Sequence, residues 1–115
     1  MCLSGGLHAA SPALVGTPAI SAINNYTDGP VVTSVTNPGG TNLVLIVRVL
    51  MANSSSGTNS TNEISDITFG SQSLTQYDTV VVTTSNGPTD LETWYLVNPD
   101  PGTMNLTVSW STPNL

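Results

Sequence analysis

The stretch from Leu91 to Trp110, LETWYLVNPDPGTMNLTVSW, decides the fold. Leu91 to Val97 is rich in aromatic and β-branched residues, the composition of a strand. Asn98-Pro99-Asp100-Pro101-Gly102 then breaks the pattern, because two prolines and a glycine do not sit in a ladder. Met104, Leu106, Val108 and Trp110 follow, alternating with Asn105, Thr107 and Ser109. A period of two marks a strand with one face buried and one wet. The stretch therefore predicts a hairpin. Both tryptophans lie in it, so the core is expected to form around it.

Working outward, the same punctuation recurs. Ser85-Asn86-Gly87-Pro88 turns the chain into this hairpin, and strands are predicted over Thr79–Thr84, Gln72–Tyr77 and Ile64–Phe69. Gly70-Ser71 is the turn between the last two. Further upstream lie Leu43–Met51, Val31–Val35 and Ala19–Ile23, separated by Asn37-Pro38-Gly39-Gly40 and by Asp28-Gly29-Pro30. About eight short strands with turn signals between them predict an all-β fold, an antiparallel β-sandwich of Ig-like or jelly-roll type. No segment sustains a 3.6-residue apolar period. Ala52 to Asn62 is a polar, low-complexity loop. Residues 1–18 read as an extended N-terminal arm with scattered apolar anchors Leu3, Leu7, Leu14 and Val15, and residues 19–115 as the sandwich domain.

Leu43–Met51 is apolar at both parities. Leu43, Leu45, Val47, Val49 and Met51 share one face, and Val44, Ile46, Arg48 and Leu50 the other. Such a strand is either central or has a second face that meets another subunit. A two-layer domain of this size wets one side of each sheet, so the excess apolar face points to oligomerisation.

The chain has 115 residues, with 38% hydrophobic but only 7% charged, so Ser, Thr, Asn and Gly must supply the solvated surface. One Arg and no Lys against seven acids gives a net charge of −6. Neutralising nucleic-acid phosphates takes several cations, which excludes that class of partner and disfavours an anionic membrane. No apolar run approaches the roughly 20 residues of a membrane-spanning helix. The N-terminus has no basic region followed by a sustained apolar core, so classical export is not expected.

Catalytic and metal chemistry find little material. His8 and Cys2 are the only residues of their kinds. One imidazole and one thiol do not build a zinc site, and a Ser/His/Asp relay would need His8 held in place. The acids, from Asp28 to Asp100, read as caps of turns and strand ends, in no calcium-loop spacing. No catalytic, cofactor or metal site is expected. Arg48, mid-strand among apolar neighbours, needs a carboxylate such as Asp66 or Glu92, or a path for its head to solvent. Trp94 and Tyr95 point to opposite faces, so one of them is expected at the surface. With Tyr77 and Tyr26 it would make a sugar-stacking platform, the basis of an alternative reading as a carbohydrate-binding or adhesion module.

Ile67-Thr68-Phe69-Gly70, Leu74-Thr75, Glu92-Thr93-Trp94-Tyr95-Leu96-Val97-Asn98-Pro99, Gly102-Thr103 and Leu106-Thr107-Val108-Ser109-Trp110 carry a loose resemblance over residues 40–110. The chain resembles small β-sandwich domains of tailed-phage virion proteins and bacterial surface proteins, most of all the accessory proteins that decorate or cement capsids. The resemblance implies a non-enzymatic protein, often a trimer, bound to the major capsid protein on the outer surface of a phage shell. It carries over no catalytic residue. An acidic, lysine-free chain suits a shell exterior better than a DNA-lined interior. Synthesis in the host cytoplasm fits the lack of an export signal. Arg48, Trp94, Tyr95 and the arm residues are the expected contacts.

Overall fold

A computed structural model describes residues 13–16, 30–52, 64–85 and 87–110. Among them the chain is all-β, with no helix. Seven strands run in order: β1 (Val31–Asn37), β2 (Val44–Ala52), β3 (Ile64–Phe69), β4 (Gln72–Ser73), β5 (Thr75–Thr84), β6 (Gly87–Val97) and β7 (Gly102–Trp110). They form two antiparallel sheets. One has the order β1-β7-β3-β4, the other β2-β6-β5. The predicted strand Ala19–Ile23 lies outside the described residues, as do Leu3 and Leu7.

Alternation dictates which side of each strand is buried. Val31, Thr33 and Val35 pair across with Val108, Leu106 and Met104, so these positions share a face. Ile67 and Phe69 join them from β3, opposite Val108 and Leu106. On the second sheet Leu45, Val47, Val49 and Met51 face the same way as Leu96 and Trp94. The two sets meet in one cluster built on Ile64, Ile67, Phe69, Leu74, Trp94, Leu106 and Val108. Two antiparallel layers closed over one core are compatible with a β-sandwich.

Two predicted features are corrected. The Leu91–Trp110 stretch is not a hairpin. β6 and β7 belong to different sheets, so Asn98–Pro101 carries the chain from one layer to the other. The core does form there, with Trp94 on one side and Leu106 and Val108 on the other. The second correction concerns Gln72–Tyr77 and Thr79–Thr84, which divide elsewhere. The break falls at Leu74, where the chain leaves β4 in one sheet and enters β5 in the other. Leu74 is buried, and its N–H donates to the Ile67 carbonyl at 2.8 Å. The expected break near Asp78 is instead a β-bulge within one continuous strand, between Gln76 and Asp78.

The crossover is tied down from three directions. Asn37 Nδ2 donates to the carbonyls of Pro99 at 2.8 Å and Asp100 at 3.0 Å. Its Oδ1 accepts the Gly39 N–H at 3.0 Å. Gln72 Oε1 accepts the Asp100 N–H at 2.8 Å, and the Asn98 N–H donates to the Leu43 carbonyl at 2.9 Å. Asn98 itself sits at φ 53°, a left-handed conformation that asparagine tolerates better than most residues. Gly70 holds the other tight turn. Its φ is 58°, which favours glycine, and a Cβ there would stand 2.7 Å from Met104 Sδ, so the methionine would have to shift for any larger residue.

Asn37→Ala should therefore lower stability by about 1–3 kcal/mol, because it orphans two carbonyls and one N–H at once. Asn37→Asp should not rescue it, since a carboxylate cannot donate. Urea midpoints for the three proteins check this, and equal midpoints would show that the crossover stands without its clamp.

Candidate functional site

The outer faces of the two sheets differ in chemistry. On the four-stranded sheet the outward positions are mostly Ser34, Thr36, Thr103, Asn105, Thr107, Ser109, Thr68 and Ser73, with Asp66 and Val32. Thr36 and Thr103 even bond hydroxyl to hydroxyl at 2.8 Å. This is the wet side that alternation predicts.

The three-stranded sheet has no such side. From β2 it presents Val44, Ile46, Arg48 and Leu50. From β6 it presents Leu91, Thr93, Tyr95 and Val97, and from β5 Tyr77, Asp78, Val80 and Val82. Ile46 is 64% exposed, Leu50 68% and Tyr77 75%. Seven exposed apolar residues on this face amount to on the order of 700 Å², beyond the roughly 300–600 Å² of the largest patch on an ordinary monomer. Among the described residues β2 is thus an edge strand, not a central one, and its second apolar face is exposed.

Within the face, Tyr77 and Tyr95 meet edge to face, with ring centroids 6.4 Å apart and planes at 81°. With Val44, Ile46 and Thr93 they line a shallow apolar depression. The bulge makes this possible, since it places Tyr77 beside Asp78 on the outer side. Arg48 lies opposite Thr93, and Thr93 opposite Asp78. The three form one row across the sheet.

The structure gives the position of each expected contact that it describes. Arg48 is exposed on the outer face. Neither expected carboxylate shares that side: Glu92 points into the core from β6, and Asp66 belongs to the other sheet. Tyr95 is on the outer face, whereas Trp94 is buried at 6% exposure and cannot serve a surface contact. Leu14 and Val15 are exposed. Tyr77, named as a possible platform ring, does lie beside Tyr95, and the spacing does not single out Asp78, Val80 and Val82 as its companions on this face. Their signal is the apolar parity of Tyr77-x-x-Val80-x-Val82, obscured by the bulge.

The acids also need correction. Asp90 and Glu92 are not at turns but mid-strand on β6, buried at 2% and 0% exposure. Their parity with Trp94 fixes this, as all three alternate onto the inner face. Trp94 Nε1 donates to Glu92 Oε2 at 2.8 Å, a side-chain bond inside the core. Among the described residues no three His, Cys, Asp or Glu side chains gather where they could hold a metal ion, and no helix is long and apolar enough to cross a membrane.

Comparison with known proteins adds no relative: no family model, no curated protein and no solved structure matches this chain.

Glu92→Ala should cost about 2–4 kcal/mol, since it removes the acceptor of a buried indole N–H and leaves a cavity. Glu92→Gln keeps an acceptor and should cost less. Denaturation followed by tryptophan fluorescence orders the variants, and a Gln variant as unstable as Ala would mean that the bond to the indole is not what Glu92 contributes.

Proposed function

We propose that the protein is a non-enzymatic structural component of a phage virion, a decoration or cement protein. It binds the major capsid protein on the outer surface of the assembled shell and reinforces it. The observation that carries this reading is the open apolar face of the three-stranded sheet, which fits a domain whose working state is an assembly rather than a lone monomer. The mechanism is additive. Each copy bridges neighbouring shell subunits and covers apolar area that the bare shell leaves in water. The N-terminal arm, residues 1–18, and the strand edges supply the shell contacts, and the copies are themselves oligomeric. The acidic, almost cation-free composition supports an exterior position.

The strand order favours the jelly-roll form of the fold over the Ig-like form. β1 pairs with β7 and β2 with β6, a nested pattern in which the chain folds back on itself before it wraps into two layers. In an Ig-like domain the first two strands are neighbours in one sheet. Here they are in different sheets.

A second reading, a carbohydrate-binding or adhesion module on a virion or cell surface, is supported by the Tyr77–Tyr95 pair around an apolar depression. Sugar faces stack on such rings. Glycan-array binding that disappears on Tyr95→Ala would favour it.

The main reading is tested on particles. Antibody raised against the purified domain should label the outside of intact virions from the same source. Shells stripped of the protein should release DNA at a lower temperature, and adding it back should restore the original value. Protein found only free in the lysate, or shells indifferent to its removal, would end this reading. Deletion of residues 1–18 should abolish rebinding.

A further inference from the structure

The geometry points to a second copy of this chain as what covers the outer face of the three-stranded sheet, packed face to face about a two-fold axis that runs along β6. This deepens the proposed function only in assigning that face to self-association. It leaves the arm for the shell.

Area is the first argument. The exposed apolar residues alone offer on the order of 700 Å² per copy, near the roughly 800 Å² per partner of a standard stable interface. Arg48, Thr93 and Tyr95 add to it. The face is built on strands rather than loops, so it is held in shape before the partner arrives, which limits the ordering cost of association.

Charge complementarity is the second argument, and it selects the orientation. The chain has one cation, Arg48, and it sits on this face. Asp78 is the acid on the same face, in the same row, on the opposite edge strand. The two lie one strand either side of Thr93, so their backbones are about 10 Å apart, and among the described residues no ion pair joins them. A two-fold axis along β6 exchanges the left and right edges of the facing sheet. It sets Arg48 of each copy over Asp78 of the other, twice in one interface. The same operation lays Ile46 and Leu50 on the Tyr77, Val80 and Val82 side of the partner. Strands of the two copies then run nearly aligned, an ordinary packing of two sheets. An axis perpendicular to the strands in the same plane would put Arg48 over Arg48, and like charges there oppose it. The contact is isologous, so it closes at two copies. It departs from the trimer that the family resemblance implies.

Sedimentation equilibrium of the full chain over micromolar concentrations tests this. The expected mass is that of two copies. Leu50→Glu, at an exposed position, should weaken association by at least about ten-fold. Arg48→Asp and Asp78→Arg should each weaken it by a similar factor, and the double swap should restore it. Unchanged thermal melts at a concentration where every variant is monomeric rule out misfolding as the cause. A monomer or a trimer at all concentrations overturns the proposal, as does a dimer indifferent to Leu50→Glu. A dimer that responds to Leu50→Glu but is not restored by the double swap overturns the two-fold placement along β6. A dimer in solution together with absence from particles would sink the virion reading and leave this one standing.

Discussion

A strand has two faces, and a two-layer domain can bury only one of them. That constraint governs this molecule because β2, β5 and β6 carry apolar side chains at both parities. The inner parity meets the four-stranded sheet through Trp94, Leu45, Val47 and Leu96. Among the described residues the outer parity has no layer packed over it. Hydrophobic stabilisation scales with area taken from water, at roughly 25 cal/mol per Å², so a face of this size is a standing drive toward association. The four-stranded sheet is under no such pressure, since its outer residues are hydroxyl and amide side chains that water satisfies.

The layers are joined where the chain changes sheet, and two of these junctions are secured by different devices. Leu74 is a hydrophobic peg between β4 and β5. At Asn98–Pro101 the polar clamp of Asn37 and Gln72 replaces the ladder that two prolines deny. Both solutions satisfy backbone groups that a crossing strand would otherwise orphan. Inside, Glu92 adds a third kind of link, within β6. A buried carboxylate is costly, and its bond to the Trp94 indole offsets part of that cost while fixing the ring in the core.

Local patterns were legible in the sequence where the cause is local. The alternation Met104-Leu106-Val108 gave β7, the double parity of Leu43–Met51 gave β2 and its open face, and Gly70-Ser71 gave a turn. What was not legible depends on distant partners. A five-residue Pro-Asp-Pro loop serves a hairpin or a change of layer equally well, and the side chains that decide between them come from β1 and β4. The burial of Asp90 and Glu92 follows from parity with Trp94, but composition argues the other way, because carboxylates are normally found in water. Tyr77 is legible as a surface ring from its type, but its place with Asp78 beside Tyr95 and Thr93 is not, because a bulge resets the alternation. Arg48 is exposed, and Asp66 and Glu92, the two acids named as partners, lie on other faces, so sequence left its partner open.

Scarcity of charge is what makes the arrangement of the outer face informative. In a chain rich in Lys and Glu, one Arg and one Asp on a shared face would carry no orientation, because many pairings would compete. Here each copy carries a net charge of −6 and a single cation. At long range two copies repel, and salt screens that repulsion over about 10 Å. At contact, the face offers one positive point and one negative point, placed symmetrically about its central strand. Apolar area is non-directional and tolerates many relative rotations of two sheets. A lone cation set off-centre against a lone acid removes most of them, so the same few charges that the composition leaves are enough to turn a sticky surface into an interface with a defined geometry.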